Sequence, residues 1–151
     1  MSQPVILDMD PGIDDAVALA VALYQPTLDI KLITTVAGNV EVAKTTANAL
    51  KIVEFFHVED HIPVAQGAAT PLKKAFKNAS YIHGESGMPG YSFPPLHTSP
   101  LSIGACDAMA EVISKSSEPV TIIGTGAYTN IAHLITAYPD LKSRINRLIL
   151  M

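Results

Sequence analysis

Asp8, Asp10, Asp14 and Asp15 put four carboxyl groups within eight consecutive positions of the stretch DMDPGIDDAVALA, residues 8–20. Like charges at this spacing repel, and the apolar run that follows offers no cation to offset them. A divalent ion lodged among the oxygens removes the repulsion, and hard oxygen ligands suit Ca2+ or Mg2+. A bidentate carboxylate with backbone carbonyls favours Ca2+, although spacing alone leaves both ions open. The competing explanation is helix capping, because a helix N-terminus welcomes negative charge at Asp14 or Asp15. One acid suffices for that, and a fourth adds only repulsion unless it is neutralised. Pro11-Gly12 bends the chain between Asp10 on a loop and Asp14 and Asp15 on a helix, so all three can point inward.

The elements that must hold these groups alternate between short β-branched runs and longer helical patterns. Strands are expected at 4–7, 30–36, 62–65, 120–124 and 147–151, and helices at 14–24, 41–57, 101–115 and 129–138, the last stopped by Pro139. In the second helix Val42, Thr46, Leu50, Val53 and Phe56 recur at helical spacing and mark a buried face. In the third, Ile103, Met109, Val112 and Ile113 form the inward set. The strands are apolar throughout, which predicts an α/β fold with a mostly parallel sheet and helices on both faces. The strand order stays open.

Ligands of such sheets bind beyond the carboxyl ends of the strands. Polar or glycine residues wait there in every case: Asp8 to Gly12, then Gly38-Asn39, Gln66-Gly67 and Thr125-Gly126. Four loops are therefore expected to converge on one crevice. A loop over 79–100, rich in Gly, Pro and Ser, has the length of a functional lid or a mobile segment. The chain stops on the last residue of the fifth strand, where a parallel strand needs cover on both faces. Residues 1–151 are accordingly expected to form the N-terminal part of a single larger α/β domain, cut off after that strand.

Composition removes several function classes. With 48% hydrophobic and 16% charged residues, the chain can bury a core and is not disordered. A net charge of −4 and scattered Lys and Arg argue against a nucleic-acid partner. The longest apolar run, Ala16 to Tyr24, is nine residues, against roughly 20 for a membrane span. The N-terminus lacks the basic region of a signal peptide, so a cytoplasmic location without membrane partners is expected. Cys106, the single cysteine, lies in an apolar helical stretch and reads as a small buried side chain.

Residues 8–15 fit the pattern D-x-D-x-G-x-D-D, and with it the chain resembles the inosine-uridine-preferring nucleoside hydrolases. TTVAGNV at 34–40, HGESGMPG at 83–90 and GTGAYTNIA at 124–132 resemble three further blocks of that family in the same order. The resemblance spans the whole chain but only the first half of a family member. It implies hydrolysis of the N-glycosidic bond of ribonucleosides to ribose and free base, with Ca2+ as cofactor. By the resemblance, Asp10, Asp15 and the carbonyl of Thr125 are metal ligands, and Asp10 is also the base that activates a metal-bound water. Asp14 and Asn39 match positions that hold the ribose hydroxyls, His83 matches a pocket residue near the base, and Asp8 stands behind the ligands. The family also implies a homo-oligomer.

This chemistry suits the residue types. Glycosidic cleavage passes through an oxocarbenium-like transition state that nearby carboxylates stabilise, and water as nucleophile implies no covalent intermediate. The sequence departs from the family at Ala127-Tyr128, where many members have Pro-Leu. A further Asp ligand, the cluster for the 5′ end of the sugar and a leaving-group histidine belong to the family's second half. A complete chain of this length is expected to bind metal weakly and turn over little. Two other readings compete. One is a non-catalytic paralogue that binds nucleoside or metal. The other is a haloacid dehalogenase-type phosphohydrolase, whose strand-then-D-x-D opening VILDMD resembles, but Gly12 stands where that family wants Thr or Val. Among the remaining candidates, His57, His61, His97 and His133 read as solvent-facing or structural. Tyr91 and Phe93 read as pins for their loop or as a lid over a base, and Asn130 reads as a helix cap.

Overall fold

The computed structural model describes residues 2–151. In chain order the elements are β1 (Gln3–Met9), α1 (Ile13–Leu23), β2 (Leu28–Thr35), α2 (Val42–Phe55), β3 (Val64–Gln66), α3 (Ser80–His83), α4 (Ala105–Lys115), β4 (Val120–Gly124), α5 (Thr129–Ala137) and β5 (Ile145–Leu150). A 3-10 segment, Pro139–Arg144, leads into β5. The five strands form one sheet in the order β3-β2-β1-β4-β5, with every pair parallel. The α/β architecture expected from the sequence is the one observed.

Both faces of the sheet are covered, which is why its inner strands are apolar without alternation. Val5, Leu7 and Met9 pack with Leu19 of α1 and with Leu50 and Val53 of α2. Ile6 enters the opposite cluster with Met109 and Ile113 of α4, Ile122 of β4 and Leu134 of α5. The chain runs outward from β1 through β2 to β3, then returns to β4 on the other side of β1. α1 and α2 pack into one core cluster and α4 and α5 into the other, as right-handed crossovers require. The loops leaving β1 and β4 therefore part toward opposite faces, and the crevice between them is the switch point where open α/β sheets take ligands.

The boundaries differ from expectation for physical reasons. β1 continues through Met9 because Asp8 stays in the ladder, opposite Thr34 of β2 and Gly124 of β4. The third long helix starts at Ala105 behind an extended Gly104, so Ile103 precedes it and is only half-buried, as is Val112, while Met109 and Ile113 are fully buried. Phe56 is the C-cap of α2 and half-buried, followed by His57 with φ of 55°. The single turn α3 within residues 79–100 is too short to leave a periodic signal. Cys106 is half-buried. The fifth strand forms where expected, with one neighbour, and Leu148, Ile149 and Leu150 are 43–48% exposed. Among the described residues no helix is long and apolar enough to cross a membrane.

Candidate metal and substrate site

Alternation along β1 turns Asp8 to the same face as Ile6, beneath α5. It is completely buried there. Its Oδ1 accepts the Thr34 hydroxyl at 2.6 Å and Asn130 Nδ2 at 2.8 Å, and Oδ2 has no partner. Burial pushes its pKa up to about 6 against the pull of those two bonds.

Asp10 lies one residue past the strand. Its Oδ2 accepts the backbone N–H of Asn39 at 2.7 Å, and its carbonyl accepts Asn39 Nδ2 at 3.0 Å. Glycines surround the carboxyl: a Cβ on Gly38 would come within 2.1 Å of Oδ2, and one on Gly126 within 2.8 Å of Oδ1. Loops from β1, β2 and β4 thus meet at one carboxylate. Burial first, and then the charges of Asp15 and Asp14, push Asp10 up to about 6. Asp15, buried in the first turn of α1, is also raised, by burial first and by Asp14. The N-cap of α1 is Gly12, with no side-chain cap hydrogen bond, so neither Asp14 nor Asp15 caps the helix.

The three residues expected at the substrate border a single glycine. A Cβ on Gly12 would lie 3.0 Å from Asn39 Nδ2, 3.1 Å from His83 Nδ1 and 3.2 Å from Asp14 Oδ1. His83 ends α3, whose preceding Ala79 donates its N–H to the Asn39 carbonyl at 2.8 Å. Thr125 follows β4 and donates its N–H to the Asp8 carbonyl at 3.0 Å, which sets the loop after β4 beside the end of β1.

Three residues hold the site in roles the sequence did not assign to them. Asn130 does not cap α5, whose N-cap is Tyr128. It is buried, donates to Asp8 and to the Thr35 carbonyl at 2.9 Å, and accepts the Ala68 N–H at 2.8 Å. Asn48, buried on α2, donates to the carbonyls of Pro11 at 3.0 Å and Ser86 at 2.8 Å, fastening the HGESGMPG block to the acidic loop. Thr34 locks Asp8. Their one sequence signal is an amide or hydroxyl on an otherwise apolar face, which demands partners without naming them. Tyr91 and Phe93 pack edge-on against each other and against Phe55, so they pin the loop to α2. His57, His61, His97 and His133 are exposed.

Asp10, Asp15 and the Thr125 carbonyl offer a hard oxygen set. Among the described residues no three His, Cys, Asp or Glu side chains form a ready-made metal cluster. Among the described residues, too, none of the ion pairs involves an acid of this edge. Two buried carboxylates raised in pKa and paired with no Lys or Arg fit a cation. Three donors leave part of a Ca2+ coordination sphere of about six to eight oxygens to other groups. A surface hollow of about 720 Å3, lined by Pro4, Asp29, Lys31 and Lys115 among others, lies at the opposite edge of the sheet, away from this chemistry.

The model of a family described as inosine-uridine preferring nucleoside hydrolase matches residues 5–151. The non-specific ribonucleoside hydrolase RihC of Escherichia coli (strain SMS-3-5 / SECEC) is 51% identical over 151 residues, covering 100% of this chain and 49% of its own length. RihC of Salmonella paratyphi B (strain ATCC BAA-1250 / SPB7) is 52% identical over 147 residues, covering 97% of this chain and 47% of its own. A solved purine-preferring ribonucleoside hydrolase from Gardnerella vaginalis superposes with a TM-score of 0.90 at 28% identity, over 99% of this chain and 48% of its own. The chain spans about half the length of the curated relatives it matches.

Proposed function

This chain belongs to the inosine-uridine preferring nucleoside hydrolase family, and on that premise we propose that it contributes the metal- and ribose-holding edge of an enzyme that hydrolyses ribonucleosides to ribose and free base. The observation that carries the reading is the convergence of Asp10, Asp14, Asn39 and His83 around Gly12, Gly38 and Gly126. Asp10, Asp15 and the Thr125 carbonyl would hold Ca2+. When bound, the ion lowers the pKa of water and anchors sugar hydroxyls.

Asp10 takes the proton of the attacking water. A buried carboxylate where three loops meet is placed to act as a general base. The Asn39 N–H fixes which oxygen faces the reaction. Asp14, exposed at the mouth, and the Asn39 amide bind the ribose hydroxyls, orienting C1′ for attack. The acidic edge stabilises positive charge developing on the sugar. His83 borders the base. The enzyme works in the cytoplasm as a homo-oligomer on this reading.

Release of ribose from inosine and uridine tests it. Asp10→Asn is expected to lower kcat by roughly a hundredfold or more, and equal rates in the variant and the parent would refute the assignment. The alternative reading from the sequence is binding of nucleoside without cleavage. Calorimetric binding of inosine with no ribose released would establish it. The family match leaves the phosphohydrolase reading without support.

A further inference from the structure

We propose that Asn130 is a positioning residue for this edge: it clamps segment 125–130, which carries the Thr125 carbonyl, onto Asp8, two residues ahead of Asp10. The inference rests on the metal site proposed above. Asp8 holds both ends of the segment. Its carbonyl accepts the Thr125 N–H at 3.0 Å, and its Oδ1 accepts Asn130 Nδ2 at 2.8 Å. Between those ends lie Gly126, Ala127 and Tyr128, outside any strand and ahead of the helix. The two bonds to Asp8 tie both ends of the loop to β1, while Tyr128 within it donates its hydroxyl to the Met151 carbonyl. Because Asp8 and Asp10 share the end of β1, the clamp references the carbonyl donated by one loop to the carboxylates donated by the other.

The amide is fully committed. Nδ2 also donates to the Thr35 carbonyl at 2.9 Å, and Oδ1 accepts the Ala68 N–H at 2.8 Å, so one side chain joins the ends of β1, β2 and β3 to the start of α5. Aspartate has no donor for this, serine has one, and glutamine is a methylene too long. The space is shaped for it, since a Cβ on Gly67 would lie 2.3 Å from Asn130 Oδ1 and 2.4 Å from Nδ2. Thr34 fixes the receiving carboxylate from the other side at 2.6 Å. Such outer-shell partners typically change metal affinity roughly ten- to a hundredfold when removed.

The test compares calcium titrations, followed by calorimetry, on the full protein, Asn130→Ala and Leu134→Ala. Leu134 is fully buried on the same helix and takes no part in the clamp. Asn130→Ala is expected to weaken calcium roughly ten- to a hundredfold, while Leu134→Ala lowers the melting temperature and leaves affinity unchanged. Unchanged affinity in Asn130→Ala, or an equal loss in both variants, overturns the clamp. A parent protein that binds no calcium overturns the metal site and the clamp together. Should Asn130→Ala not fold, Asn130→Ser, which keeps one donor, takes its place against Leu134→Ala. The same selective loss of calcium affinity is expected, and parent-like affinity overturns the proposal.

Discussion

Burial and two neighbouring carboxylates hold Asp10 at about 6, and burial holds Asp8 there as well, against 3.8 for the ordinary side chain. A carboxyl whose pKa is higher folded than unfolded binds protons more tightly in the folded state. Its contribution to stability is fully present below about 3.8 and is lost as pH rises through about 6. Without divalent metal the melting temperature is therefore expected to fall between pH 5 and pH 7.5. Calcium should offset the part of the fall that comes from its ligands, and Asp10→Asn should make the fall shallower while Asp8 keeps its share. Thermal melts in chelator across that window check the sign, and a melting temperature that climbs with pH would contradict it. These acids were legible in the sequence because their mutual repulsion is a local fact. Asn130 was not, because its partner Asp8 is 122 residues away and only the fold joins them.

The loops that end β1, β2 and β4 meet because glycine lets them. A Cβ on Gly38 would lie 2.1 Å from Asp10 Oδ2, so Gly38→Ala must displace that carboxyl or the β2 loop. The expected result is an unchanged circular dichroism spectrum with a stability loss of about 1–3 kcal/mol and markedly weaker calcium binding by titration. Parent-like affinity in the variant would show that the close approach is dispensable. At this scale helices and strands could be read from periodicity, but their ends could not. Asp8 read as lying just past a strand that ends at residue 7, yet Thr34 and Gly124 keep it in the ladder. Gly104 delayed α4 past the point where its apolar pattern began. α3, which carries His83, left no pattern at all.

The apolar strands and their βα alternation made a parallel sheet with one reactive edge legible from sequence. What they could not show is the order β3-β2-β1-β4-β5, which depends on long-range pairing. That order puts β1 and β4 side by side at the switch point, and so brings Asp10 and Asp15 to the loop of Thr125. β5 has a single neighbour here, and its apolar residues are half exposed. The central claim is that the switch point holds a calcium ion between the β1 and β4 loops. A crystal structure of the protein grown with calcium tests it most directly. The account predicts an ion about 2.3–2.6 Å from carboxylate oxygens of Asp10 and Asp15 and from the Thr125 carbonyl. An ion bound elsewhere, or these carboxylates turned to solvent with no ion between them, would contradict it.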